Sequence, residues 1–233
     1  MNTKRYQIIK EMGVFWICVL LVMPFMPRPV MATSHTRALD VAKIDAFVRD
    51  QVERHGIPGL ALAVVEGDEI MHLGSYGTAD QTGRAVTPQT PFVLASASKP
   101  VTALAVMQLV ESGKVELDAP VQRYLPTFRV ADPVASQQIT VRHLLHHTSG
   151  IPESGCQNSR FGAETLEQFV AELHPIELAA PVGTRHFYCS GNYNVLGRII
   201  EVVSGQSYAS YIEQQVFAPL RMRHSFASEQ AAQ

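Results

Sequence analysis

Basic side chains are scarce and scattered. Beyond residue 32 only three lysines remain, Lys43, Lys99 and Lys114, and no run of lysines and arginines forms a patch. Without residues 1–32 the 233-residue chain carries 15 basic against 20 acidic side chains. A surface of that sign offers a phosphate backbone nothing to neutralise, which argues against nucleic acid as a partner. Charge of any sign is sparse, 17% against 46% hydrophobic residues, and no segment repeats or falls to low complexity. That balance belongs to a globular chain rather than to disorder or a coiled coil. Metal-binding patterns are equally thin. His143, His146 and His147 form an H-x-x-H-H cluster, but no H-E-x-x-H pattern or third ligand accompanies it, so no metal or other cofactor is assigned.

Of three cysteines, Cys18 falls in the most apolar stretch of the chain. Lys4, Arg5 and Lys10 precede residues 12–26, which are almost wholly apolar, and Val30-Met31-Ala32 then places small residues at the −3 and −1 positions of a cleavage site. This order predicts a secretory signal peptide over residues 1–32, cut after Ala32. The apolar run is shorter than the ~20 residues a membrane span needs. The expected location is therefore periplasmic or extracellular, with no stable membrane span after cleavage. An uncleaved anchor is the other reading of the same segment. Cys156 and Cys189 then meet an oxidising compartment, either as one disulfide or as two separate small hydrophobes.

Periodicity predicts a helix over residues 40–55, with Val41, Ile44, Val48 and Val52 on one face. Two strand-like runs, 60–65 and 69–76, flank the turn signal Glu66-Gly67-Asp68 and predict a hairpin. Residues 101–110 are apolar nearly all round, the mark of a buried helix. Further helices are expected from Thr140 to His146 or His147, and over 164–173, 192–204 and 207–217. Strands come first and helices after, which predicts an α+β fold.

The chemistry concentrates at Ser96-Ala97-Ser98-Lys99, the only S-x-x-K in the chain. Residues three apart on a helix share a face, so a hydroxyl and an amine meet there. Serine needs an adjacent base, and a lysine serves only when uncharged, a state that desolvation favours. The alternative is a Ser-rich helix start with a solvated lysine. The place of the pair, at the mouth of the most apolar helix, favours the chemical reading.

Residues 92–126 (FVLASASKPVTALAVMQLVESGKVELDAPVQRYLP), 139–152 (ITVRHLLHHTSGIP) and 187–222 (FYCSGNYNVLGRIIEVVSGQSYASYIEQQVFAPLRM) occur in the order of three blocks of the class C β-lactamase and penicillin-binding-protein serine hydrolases, which the chain resembles over about residues 40–226. The resemblance implies a β-lactamase/transpeptidase-like fold: an N-terminal helix and hairpin of a mixed sheet domain, plus a mostly helical domain, with residues 227–233 as a tail. It also implies that Ser96 is acylated, that Lys99 shares the base role, and that Tyr188 exchanges protons with nucleophile and leaving group. Read without the resemblance, Tyr188 is a half-buried aromatic.

Two departures accompany the likeness. Ser190 stands where most members carry Asn, and a hydroxyl reaches less far and donates less than a carboxamide. Related penicillin-binding enzymes also carry a later K-T-G. Here no lysine follows Lys114 and no H-x-G follows Tyr188, while His72-Leu73-Gly74 precedes the nucleophile. The strand bearing that motif supplies an oxyanion-hole N–H in the family, and one such donor is worth roughly 10²–10³ in rate. The C-terminal sheet strands are thus expected to be missing, as in a truncated, split or partial sequence. The expected function is an exported serine hydrolase forming an acyl-serine intermediate on a β-lactam, a D-alanyl or other peptidoglycan-like peptide, or a small ester. The alternative is an inactive protein that recognises penicillin or binds the envelope.

Overall fold

The structure is a computed structural model that describes residues 39–156 and 165–228. The signal peptide expected over 1–32 and the end of the tail fall outside them. The chain divides into two units, Met1–Val48 and Arg49–Gln233. Helix α1, Val41–His55, runs across the boundary, with Asp40 capping its start by accepting from the Lys43 N–H at 3.0 Å. All later elements belong to the second unit.

Strands β1 (Gly59–Glu66) and β2 (Glu69–Gly77) form the hairpin, antiparallel with Leu60 opposite Tyr76 and Leu62 opposite Gly74. Among the described residues the sheet has these two strands alone. β1 is apolar on both faces, as in a strand covered on both sides. Here one face, with Ala61, Ala63 and Leu73, stays open, and beyond a bulge Val65 and Ile70 are exposed too. His72-Leu73-Gly74 lies within β2.

A 3-10 turn, Ala95–Ser98, leads into α2, Lys99–Glu111. Then come α3 (Pro133–Gln138), α4 (Val141–Leu145), α5 (Leu166–Glu172), α6 (Ser190–Ser204) and α7 (Tyr208–Ile212), the last continuing as a π turn over Glu213–Phe217. α6 is the hub and packs on α2, α4, α5 and α7. Its Val195, Leu196, Ile199 and Ile200 join Val106, Leu109, Leu144 and Ile212 in the core. Sheet and helices stay segregated, so the α+β expectation holds.

Three differences from the sequence reading have local causes. α2 is apolar all round but not buried all round: Ala105, Val106 and Leu109 are enclosed, while Leu104 and Met107 remain over 40% exposed. Composition sets what a face tolerates, not whether a neighbour covers it. α3 escapes the periodic reading because six residues hold less than two turns. Its signals are an Asp132 N-cap, accepting from Val134 N–H at 2.8 Å, and Pro133 at the first position. α6 begins at Ser190, two residues early, which places that hydroxyl on the first turn. Among the described residues no helix is long and apolar enough to cross a membrane.

The segment after α4 carries an exacting turn. Gly150 has φ of 83°, and a Cβ there would collide with the Ala180 carbonyl oxygen. That approach is held by the Ala179 N–H donating to Gly150 O at 2.9 Å. Gly150→Ala is expected to lose at least about 1–3 kcal/mol of stability, read as a lower urea midpoint. An unchanged midpoint would mean the turn relaxes freely.

Candidate active site

The nucleophile candidate is presented by a strained turn. Ala95, a residue with a Cβ, sits at φ 46° directly before Ser96, a backbone state that costs on the order of 1–3 kcal/mol. Ser96 lies in the 3-10 turn, three residues before the α-helix at whose start the sequence placed it. The three-residue spacing to Lys99 still works, because side chains at i and i+3 eclipse in a 3-10 turn. Lys99 Nζ donates to Ser96 Oγ at 3.0 Å.

Tyr188 arrives from 89 residues further along the chain. Its Oη lies 2.6 Å from Lys99 Nζ and 2.6 Å from Ser96 Oγ, closing a triangle of hydroxyl, amine and phenol. Lys99 Nζ also stands 4.8 Å from the centre of the Tyr188 ring. Its contact to Ser190 Oγ is 3.5 Å, at the limit of a hydrogen bond, as the shorter hydroxyl predicts. The Lys99 hydrogen bond, with a smaller contribution from Ser96, holds the Tyr188 phenol below its usual range; burial opposes this weakly, the side chain being 43% exposed. Stabilising the phenolate lets Tyr188 stand deprotonated at lower pH, ready to take the proton of Ser96.

The sequence reading missed what holds Tyr188 in place. His147 is buried and left-handed, with φ of 55°. Its backbone carbonyl accepts from the Phe187 N–H at 2.8 Å, and its Nδ1 accepts from the Cys189 N–H at 3.2 Å. The two residues flanking Tyr188 are thus both tied to His147, whose ring lies 4.8 Å from that of Tyr188. Asn192 Nδ2 adds a contact to Nδ1 at 3.3 Å, while its Oδ1 accepts from Ser149 Oγ at 2.8 Å. Nδ1 is therefore an acceptor and the ring proton belongs on Nε2. Burial, then the charges of His186 and Lys99, push the His147 pKa down.

The H-x-x-H-H imidazoles are used separately. His143 Nδ1 accepts from the Thr140 N–H at 3.2 Å in a capping box, His146 is exposed, and His147 faces the tyrosine. Cys189 is buried and disulfide-bonded, which favours the disulfide over the reading as a separate small hydrophobe. A pocket of about 360 Å³ opens beside the triangle, running from Ser96, Lys99 and Ser190 to Phe169 and Tyr208.

Residues 44–233 match the family described as Beta-lactamase. Penicillin-binding protein 4 of Amycolatopsis lactamdurans is 37% identical over 178 residues, 76% of this chain and 47% of that protein. Among solved structures, the octameric penicillin-binding protein homologue from Pyrococcus abyssi superposes with a TM-score of 0.74 at 30% identity, covering 83% of this chain and 46% of that one. EstCE1, a hydrolase with promiscuous acyltransferase activity, gives 0.69 at 29% identity, covering 77% and 51%. The chain spans about half the length, or less, of the relatives it matches.

Proposed function

The chain belongs to the beta-lactamase family, and from that membership we propose that it is an exported serine hydrolase working through an acyl-serine at Ser96. The observation that carries this reading is the triangle of Ser96 Oγ, Lys99 Nζ and Tyr188 Oη, each pair within 3.0 Å. The Ser96 proton passes to the Tyr188 phenolate as Oγ bonds to the substrate carbonyl carbon. The bond to the leaving group breaks, and the departing atom takes the proton from Tyr188. Water then attacks the acyl group, gives its proton to Tyr188, and Ser96 recovers a proton as it leaves. Lys99 donates to both oxygens throughout, favouring the negative charge they exchange. Ser190 lines the site beside Lys99 as a substrate-contacting hydroxyl.

Substrates of this reading are β-lactams, D-alanyl peptides or small esters, chemistries that one scaffold accommodates. Export rests on the basic, apolar and small-residue order of residues 1–32. The exposure of Ser96 and of the hairpin face favours a second reading, a penicillin-recognising protein that does not turn over. Incubation of the full chain with a fluorescent penicillin and with a fluorophosphonate, followed by peptide mapping, separates them. A covalent adduct on the peptide containing Ser96 is expected. Saturable binding of penicillin by folded protein with no adduct from either reagent supports the second reading instead.

A further inference from the structure

We propose that the pocket between Ser96 and Tyr208 is the acyl-group subsite, and that it takes an uncharged, apolar substituent about one ring in size; this rests on the acyl-serine reading above. Position comes first. The departing atom collects its proton from Tyr188, so the leaving group must stand beside Tyr188 Oη. Tyr188 does not line the pocket, whereas Ser96, Lys99 and Ser190 form its near end. The part of the substrate that stays on Ser96 is the part that reaches inward.

The far wall sets the chemistry. Leu166, Phe169, Tyr193 and Tyr208 supply apolar and aromatic surface, and Gly197 offers bare backbone between them. A Cβ at Gly197 would stand 3.0 Å from Leu166 Cδ1 and 3.4 Å from Tyr208 Cδ2, so α6 and α5 approach there because that side chain is absent. The polar atoms deep in the wall satisfy each other: Thr102 Oγ1 and Tyr208 Oη are 2.7 Å apart. Burial raises the Tyr208 pKa, which keeps that phenol neutral. Among the described residues no carboxylate lines the pocket, and the one cation among them there, Lys99, is engaged by Ser96 and Tyr188. A charged substituent would lose its water and meet only neutral polar groups among these residues, such as the Asn194 amide, while an apolar one loses nothing. The volume of about 360 Å³ lies at the small end of ligand pockets.

The test is an ester series with the full chain: p-nitrophenyl acetate, p-nitrophenyl phenylacetate and mono-p-nitrophenyl succinate, each corrected for its rate of hydrolysis by hydroxide. Acylation of Ser96 is followed by nitrophenolate release and by mass. Phenylacetate is expected to exceed acetate by about 10-fold or more in kcat/KM, and the anionic succinate to fall below acetate. Leu166→Trp, which narrows the pocket from a partly exposed position, is expected to bring the phenylacetate-to-acetate ratio toward one. The series on the native chain stands by itself if that variant fails to fold. Equal rates, or preference for succinate, overturn the subsite while the acyl-serine stands. A chain that no ester acylates at Ser96 removes the acyl-serine reading itself, and the subsite with it.

Discussion

Tyr188→Phe is expected to slow acylation of Ser96 by about 10²–10⁴, the usual worth of a positioned acid–base group, with no loss of folded protein. The reasons are geometric. Phe keeps the ring that lies 4.8 Å from His147 and removes only Oη, the atom 2.6 Å from both Ser96 Oγ and Lys99 Nζ. Tyr188 is exposed enough that its hydroxyl leaves no buried gap. Ser96→Ala removes the adduct altogether. The pH profile supplies the signature that mere damage would not. Lys99 donates to the phenol and holds its pKa below the ordinary value of 10.0. The rate in the native chain should therefore rise with pH and level off below that value, as the phenolate forms. Lys99→Met withdraws the stabilising donor, so the inflection moves upward and the rate at neutral pH falls. The labelling rate of a fluorophosphonate, followed from pH 6 to pH 10 or so, reads both effects. Should Tyr188→Phe label as fast as the native chain, the phenol has no part in the proton transfer.

The part of this site that could be read from the chain is the part that is local. Ser96 and Lys99 are three residues apart, and spacing of that kind survives the exchange of an α-helical turn for the 3-10 turn that is found. Tyr188 is different. Nothing in composition or period brings a residue 92 positions away to the hydroxyl, and only likeness to a family pattern singled it out. The His147 clamp lay beyond both kinds of reading. Three nearby histidines suggest metal to anyone counting ligands, yet their separation follows from backbone geometry: His143 sits on the first turn of α4 within reach of Thr140, whereas a left-handed φ at His147 turns that ring toward the tyrosine. A left-handed His is uncommon, and no side-chain pattern announces it. Likewise, an apolar α2 was legible, but the exposure of Leu104 and Met107 depends on what packs against them, which lies in tertiary structure alone. The hairpin makes the same point from the other side: the apolar strand runs and the Glu66-Gly67-Asp68 turn between them are local and visible, whereas the open face around Leu73 is set by neighbours.

His147 is where stability and chemistry meet, and two substitutions at it should diverge. His147→Ala removes the acceptor for the Cys189 N–H and for Asn192 Nδ2, both buried. An orphaned buried donor costs about 1–3 kcal/mol, so a loss of at least about 2 kcal/mol is expected, together with slower acylation as the segment around Tyr188 loosens. His147→Asn should recover most of both. Asn tolerates the left-handed backbone, and its Oδ1 stands where Nδ1 accepted. Asn also cannot take up a proton, which exposes the titration. The folded-state pKa of His147 lies below its ordinary value of 6.5, chiefly through burial. Its contribution to stability is therefore complete above the unfolded-state pKa and is lost as pH falls through the folded one, because the unfolded chain binds the proton first. His143, whose pKa burial also lowers, contributes a second limb of the same sign through its capping role. Each group adds at most about 1.4 kcal/mol per pH unit to the slope. Urea midpoints between pH 5 and 7.5 or so should thus fall with acid in the native chain and fall less steeply in His147→Asn, the remainder belonging to His143. Tyr188 joins this reading through its pH profile for acylation, which His147→Asn should leave with the same alkaline inflection if the imidazole positions the phenol and takes no proton from it. An acid slope unchanged by His147→Asn would show that the neutral ring is not what holds the clamp.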